Sequence, residues 1–424
     1  MTIFAPCVYG WSIGNNAYKI NCLMDAFKKL GMKDAIWCFV IGDGTGKIGP
    51  DLANNLEDIK LFITVGGNLS ICFGGAAGPY VEATVTSPQN LYNIFDMIVR
   101  DTGVTSFMFD IEGAYIEDTA TNSRRTAALK LLKAKYPKLT VSYILPANLP
   151  DKWGNQTLPA GAMSILKESI SVGVDVDRVI IMTMDWYAPT ATNLGQNSVA
   201  CAQSLHTQLT ALYPSKTSDQ IYNMIGILPM IGENDDGTKF TLSDVSNVCS
   251  YANLHNVGLV SYWSQMRDQV SSESLSVSSK VNTKDFEFYN AFKTGLSSKS
   301  SSPLAPLPTP PTSTPTTSPS NVWTLGRSYK TGDIVTYDKN TYTCTADHIA
   351  VATPNLWKPS STTTGSTSSQ TTSSASNAVW SSSGVLYKTG QLVTYNGMTY
   401  KCLQNHTSLT GWDPVNVPAL WSKV

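Results

Sequence analysis

Charge is scarce in this chain: only 14% of its 424 residues are Asp, Glu, Lys or Arg, and 30 basic against 31 acidic residues leave a net charge of −1. No basic run is interleaved with aromatics, which argues against nucleic acid and anionic membrane as partners. No apolar run approaches the ~20 residues of a membrane span. The N-terminus, Met1-Thr-Ile-Phe-Ala-Pro6, enters a strand at once, so no signal peptide is expected in it. The eight cysteines, at 7, 22, 38, 72, 201, 249, 344 and 402, form no C-x-x-C, and there are only four histidines, so neither a metal nor another cofactor is expected. What the chain does have is a 42% hydrophobic content, enough for a large core, and 10% aromatics with 10 Trp and 19 Tyr. Flat apolar faces in that number suit a neutral polymer.

Taken in order, Ile3–Trp11 reads as a first strand, followed by a helix around 21–30 and further strands at 34–41, 68–73, 105–111, 140–145, 179–184, 224–230 and 257–263, with helical stretches between them. Eight strands alternating with helices over about 290 residues predict a (β/α)8 barrel, whose functional residues sit at strand C-termini. Gly42-Asp-Gly-Thr-Gly46 lacks P-loop spacing and reads as a loop on that face.

At residue 297 the composition breaks. Residues 297–320 contain seven prolines and predict a semi-rigid spacer reaching at most ~75 Å, whereas 359–377, with 14 Ser and Thr in 19 residues, predicts a more flexible one. The spacers isolate an internal repeat, 321–358 and 378–424. Tyr329–Cys344 and Tyr387–Cys402 are identical at ten of sixteen positions, and each is followed four residues on by a histidine, His348 or His406. Modules this small have little core, so Trp380, Tyr395, Tyr400, Trp421 and their counterparts Trp323, Tyr337, Tyr342 and Trp357 are expected to pack structurally. Trp412, in a Gly/Pro-rich loop without a counterpart in the first copy, is the candidate exposed face. Cys344 and Cys402 fall singly in their modules and read as small buried residues. Of the N-x-S/T sites at Asn68, Asn155 and Asn405, Asn68 abuts a predicted strand and is expected to be buried.

The chemistry points to Phe107-Met108-Phe109-Asp110-Ile111-Glu112-Gly113. In a strand, Asp110 and Glu112 share one side near its C-terminal end, and two neighbouring carboxylates push one pKa up, as glycoside hydrolysis requires. Here the chain resembles the family 18 glycoside hydrolases, the chitinases, whose signature is D-G-x-D-x-D-x-E. Asp110 and Glu112 match it, while Thr105, Ser106 and Met108 replace its earlier Asp, Gly and Asp. Leu69–Gly78, Ile181-Met-Thr-Met-Asp-Trp-Tyr187, Ile225–Asp235 and Val260–Asp268 are similar to the family's strands 3, 6, 7 and 8. The resemblance implies a retaining, substrate-assisted reaction. Glu112 would be the general acid and base, Asp110 would hold the acetamide N–H, and Asp185 would polarise the pocket. Tyr187 or Trp186 would hold the acetamide, Trp263 would form the floor, and Met184 would line the pocket. The repeats are similar to chitin-binding modules of carbohydrate-binding families 5 and 12. The implied partners are chitin and chito-oligosaccharides, acted on by a secreted, monomeric hydrolase. The alternative is a chitin-binding lectin-like protein with a weakly active or inactive barrel.

Overall fold

A computed structural model describes residues 2–150, 156–187 and 193–297, together with 328–329, 334–337, 340–344, 348–349, 357–359, 378–381, 385–387, 390–403, 406–407, 414–415 and 421–424. Two compact units are distinguished, the first drawn mainly from Met1–Ser320 and the second from the residues after it.

The first unit is a parallel barrel. In chain order its elements are β1 (Ile3–Phe4), β2 (Cys7–Tyr9), α1 (Leu23–Leu30), β3 (Asp34–Val40), α2 (Asp51–Thr64), β4 (Asn68–Gly74), α3 (Val81–Thr84), α4 (Pro88–Thr102), β5 (Ser106–Asp110), α5 (Thr119–Lys135), β6 (Thr140–Pro146), α6 (Ala160–Val172), β7 (Arg178–Met182), α7 (Leu194–Leu212), α8 (Ser218–Met224), β8 (Ile225–Leu228), β9 (Gly232–Glu233), β10 (Lys239–Phe240), α9 (Leu242–His255), β11 (Leu259–Val260) and α10 (Glu287–Ser297). The sheet runs β1-β11-β8-β7-β6-β5-β4-β3-β2, and because β1 and β2 are consecutive, the two ends meet and the sheet closes as a (β/α)8 barrel. The predicted first strand is therefore split. Its first half pairs with β11 and its second with β3. Around the split, Ala5 and Cys7 N–H donate to Val260 and Tyr262 (3.1 and 3.2 Å), and Ile36 N–H donates to the carbonyl of Pro6 (3.0 Å), which has no N–H to offer. Three strands end earlier than their apolar runs suggest, at Met182, Leu228 and Val260, although single bonds such as Trp263 N–H to Pro229 O (2.8 Å) extend the contact beyond them.

Residue parity sets the two cores. Ile36, Cys38, Cys72, Met108, Ile144, Ile180 and Leu228 fill the interior. Their neighbours Trp37, Ile71, Phe73, Phe107, Phe109, Val141 and Tyr143 face outward and pack with helix residues such as Phe95, Leu129 and Leu166. Helix ends follow ordinary capping: Pro88 opens α4, Gly103 (φ 75°) closes it, and Thr217/Gln220 and Thr241/Asp244 form capping boxes on α8 and α9. Asn68 corrects the expectation of burial, since it begins β4 at the exposed end of the barrel and donates to Asp34 Oδ1 at 3.0 Å. No helix among the described residues is long and apolar enough to cross a membrane.

Behind β5 lies a buried ion pair. Arg125 Nε of α5 donates to Glu82 Oε1 of α3 at 2.7 Å, with the guanidinium 5.4 Å from the Phe109 ring centroid, and Nη1 donates to Asn122 Oδ1 at 2.6 Å. Both side chains are essentially inaccessible to solvent.

The second unit shows the repeat as strand register. Ile334–Tyr337 pairs with Asn340–Cys344 as Leu392–Tyr395 pairs with Met398–Cys402, and the Cys344–Trp357 partnership recurs as Cys402–Trp421. In the second copy Asn396 and Gly397 (φ 48° and 74°) form the two-residue turn, the conformation Asn-Gly favours. Tyr400, Cys402 and Trp421 are buried with Tyr387 and Val393, and half-buried Trp380 and Tyr395 pack on them. Trp323 and the side chains of Tyr337, Tyr342, Cys344, Trp357, His348 and His406 lie outside what is described, as do Asn155 and Asn405.

Removing one partner of the buried pair leaves an uncompensated charge. Arg125→Met is expected to destabilise the barrel by about 3–5 kcal/mol in urea unfolding, and Arg125→Met/Glu82→Leu to recover much of the loss.

Candidate active site

The site is built at the C-terminal end of β5. Asp110 is the strand's last residue and points inward one layer above Met108; its exposure is 6%. Glu112 continues the extended backbone (φ −130°, ψ 163°) and is half-buried. The backbone there is held by Tyr80, a residue the sequence reading did not single out. The Tyr80 hydroxyl accepts from Glu112 N–H at 2.9 Å and lies 2.9 Å from Asp110 O and 3.1 Å from Gly75 O, to either of which it can donate. Its ring is buried and stacks on Tyr115 at 3.8 Å. Gly75 N–H also donates to Asp110 O (3.0 Å). This close approach explains Gly74 (φ 94°), where a Cβ would sit 2.1 Å from Asp110 O.

Burial dominates the electrostatics. It raises the Asp110 carboxyl well above its usual range, and the charge of Glu112 adds to the effect. Glu112 is pushed up to about 7, first by burial and then by the charge of Asp185. Asp110 Oδ1 has no hydrogen-bond partner despite being buried. A buried acceptor without a donor is costly.

Asp185 comes from just beyond β7, in a left-handed conformation (φ 50°). Its Oδ1 accepts from Asp235 N–H at 2.7 Å and Asp236 N–H at 3.3 Å, both in the turn of the β9–β10 hairpin. Burial raises its pKa and these two bonds partly offset the rise. The Asp235-Asp236-Gly237 stretch was the readable turn signal for that hairpin. Trp186 donates its indole N–H to Ala147 O at 2.8 Å and packs on the outer core. Tyr187 is 73% exposed, and its N–H donates to Asp236 Oδ2 at 3.0 Å. Met184 is half-buried against the inner cluster, as is Trp263.

Trp263 lies within an aromatic group at the barrel mouth, with its ring 5.6 Å from Phe39 at 20° and 4.9 Å from Tyr9. The structure thus brings Asp110, Glu112 and Asp185 into one electrostatic group, with Met184 and Trp263 on the same inner cluster, while Trp412 lies outside the described residues. No group of three or more His, Cys, Asp or Glu among the described residues could hold a metal ion. A depression of about 1060 Å3 lies elsewhere, at the strand N-termini, lined by residues including Ile3, Asp34, Asn256 and Lys293. That end of such barrels carries stability rather than chemistry.

Comparison with known proteins agrees with this geometry. The sequence profile of carbohydrate-binding module family 5/12 matches residues 322–381 and 379–422. A probable bifunctional chitinase/lysozyme of Escherichia coli K12 is 31% identical over 235 residues, covering 51% of this chain and 25% of that protein. Endochitinase 11 of Metarhizium anisopliae is 32% identical over 227 residues, covering 50% of this chain and 42% of that protein. The chain thus spans less than half the length of these curated relatives. The crystal structure of the catalytic domain of a hyperthermophilic chitinase from Pyrococcus furiosus superposes with a TM-score of 0.62 at 27% identity, covering 70% of this chain and 95% of that one.

The barrel has the fold of that chitinase catalytic domain. Within it, Tyr80 pins the two carboxylates through their own backbone, a contact across 30 residues of sequence for which no local pattern exists. Tyr80→Phe is expected to leave Glu112 N–H without its acceptor. Urea unfolding should show a loss of about 1–3 kcal/mol, the cost of an unsatisfied buried donor.

Proposed function

We propose that the chain is a chitinase that hydrolyses β-1,4-N-acetylglucosamine linkages by a retaining, substrate-assisted mechanism. The observation that carries this reading is the pair of carboxyls at the end of β5: Glu112 poised at about 7, and Asp110 with a buried oxygen awaiting a donor. Glu112, protonated, gives its proton to the glycosidic oxygen as the C1–O bond breaks. The acetamido oxygen of the same sugar forms the new bond to C1, giving an oxazolinium ion, and Asp110 accepts the acetamide N–H and balances its developing positive charge. Glu112, now anionic, takes a proton from the water that opens the ring, and the enzyme returns to its first state. Asp185 holds the polarity of the pocket from the β7 side. Tyr187 has its ring exposed, whereas the Trp186 indole N–H is engaged by Ala147 O, so Tyr187 is the better acetamide partner of the two. Trp263 provides the floor and Met184 lines the wall.

The second reading, a lectin-like barrel, is favoured by Thr105, Ser106 and Met108, which replace the early acidic part of the motif. Turnover of a fluorogenic chitobioside separates the two, because a lectin binds it unchanged. The C-terminal modules act as tethers that raise the local concentration of the barrel on insoluble chitin, with Trp412 as a stacking face. Such a protein works outside the cell and as a monomer.

Glu112→Gln removes the proton donor while keeping the shape, so the rate should fall by about 10²–10⁴-fold. In the parent, the rate should decline as pH rises through about 7, because only the protonated form can act as the acid. Stability follows the same group. A carboxyl raised from 4.5 to about 7 contributes stability that is fully present below 4.5 and lost as pH rises through 7. Melting temperatures at pH 5 and pH 8 should therefore differ more in the parent than in Glu112→Gln. Deleting residues 297–424 should leave hydrolysis of soluble chito-oligosaccharides within about twofold and weaken action on crystalline chitin, since linker-joined domains act independently.

A further inference from the structure

The buried ion pair behind β5 and the Tyr80 hydroxyl belong to one closed set of contacts. Tyr80 immediately precedes α3 and Glu82 lies within it, so the residue that binds Glu112 N–H sits two positions from the carboxylate that binds Arg125. α3 has only four residues, too few to form a stable helix alone. Two arginines of α5 hold it in place. Arg125 Nε binds the Glu82 carboxylate, and Arg124 Nη1 donates to the Glu82 carbonyl at 2.6 Å. From the same helix, Asn122 Nδ2 donates to the carbonyls of Tyr115 and Ile116 at 3.2 and 3.3 Å, in the 3-10 turn Gly113–Ile116 that directly follows Glu112. Asn122 Oδ1 accepts from Arg125, and the Tyr115 ring returns to stack on Tyr80. The contacts thus run from Glu112 through Tyr80, Glu82, Arg125, Asn122 and Tyr115 back to Glu112, holding its backbone at the amide and again at the turn after it.

Stability alone is a poor account of this pair. Desolvating two charges offsets most of their attraction, and apolar residues of similar volume often serve as well. Glu82 Oε2 and Arg125 Nη2 also have no hydrogen-bond partner among the described residues. What the pair supplies, and an apolar pair does not, is direction: a 2.7 Å bond fixes α3 against α5 in one register, whereas apolar side chains tolerate sliding. Any shift of α3 moves the Tyr80 hydroxyl, and with it the hydrogen bond that sets where Glu112 leaves the strand.

We infer that Glu82 and Arg125 are positioning residues for Glu112, acting through Tyr80 on one side and through Asn122 and the 113–116 turn on the other, and touching no substrate themselves. The consequence for rate rests on the hydrolytic reading above; the consequence for backbone order does not. Glu112 is faced by Asp110 from its own strand, by Asp185 from beyond β7 and by the Tyr80 hydroxyl from before α3. When its anchoring loosens, water reaches the carboxyl and its pKa falls from about 7 toward 4.5, because burial is the first cause of the rise.

Two variants of the full chain separate position from stability. Arg125→Met/Glu82→Leu keeps an apolar pair but removes the register, so kcat on a fluorogenic chitobioside should fall about 10–100-fold, the scale of a misplaced catalytic group, with KM within about twofold. The alkaline limb of its pH–rate profile should move to lower pH. Glu82→Gln does the reverse: its amide oxygen still accepts from Arg125 Nε while the guanidinium loses its counter-charge, so the urea midpoint should drop and kcat stay within about threefold of the parent. A double variant with the parent's kcat and pH profile, or a Glu82→Gln enzyme whose kcat falls as far as the double variant's, overturns the positioning role, and either variant decides if the other does not fold. Hydrogen exchange read by mass spectrometry needs no turnover. Peptides spanning 111–117 should exchange about tenfold faster in the double variant, with those from β6 unchanged. Absence of turnover in the parent would sink the hydrolytic reading alone, and unchanged exchange at 111–117 would sink the positioning role alone.

Discussion

Much in this barrel depends on the burial of one carboxyl. Asp110 sits where the inner layer of Cys72 and Met108 meets the open end, and desolvation there raises its pKa before any neighbour acts. Its backbone carbonyl is crowded by Gly74 and bonded by Gly75, and the Tyr80 hydroxyl spans from it to Glu112 N–H. The backbone that carries both carboxylates is thus held by contacts with Tyr80 and Gly75. One negative charge in the pair is tolerated far better than two. Asp185 joins the group from two strands away, and its charge is anchored by two N–H donors of the β9–β10 turn. The distribution of protons over the three acids is therefore set first by burial and then by neighbouring charges.

The fold was legible because the period-2 and helical patterns alternate cleanly over the first unit, and the carboxylate pair was legible because residues two apart in a strand share a face. Strand ends were read less well. Apolar runs such as 224–230 and 257–263 continue past the sheet because Pro229 cannot donate and the residues beyond turn into the mouth. The same limit explains the split first strand at Pro6 and the exposure of Asn68, whose fate depends on which end of the barrel it occupies rather than on its neighbours in sequence. Tyr80 carried no local signal at all. It acts on a backbone 30 residues away.

Met108 replaces an acid that the resemblance places beneath Asp110. It is 2% exposed and shares its layer with Cys72 on one side and Ser142 on the other. An apolar neighbour removes a like charge, which favours ionisation of Asp110, and removes water, which opposes it. Burial is the first cause of the raised pKa of Asp110. The proton that an inner acid would have shared must then be accommodated by the groups above, Glu112 foremost among them.

The composition of that inner layer has a consequence for proton traffic. Below Asp110 the cluster is Ala5, Cys7, Ile36, Cys38, Cys72, Met108, Ile144, Ile180, Leu228 and Leu259, and burial pushes the thiol of Cys72 up to about 11 and that of Cys38 higher. Neither Cys38 nor Cys72 has the acidity to pass a proton near neutral pH. This apolar layer gives Asp110 no relay through those two thiols. On the proposed reading, the opening through which Asp110 and Glu112 exchange protons is the one that admits both the sugar and the attacking water.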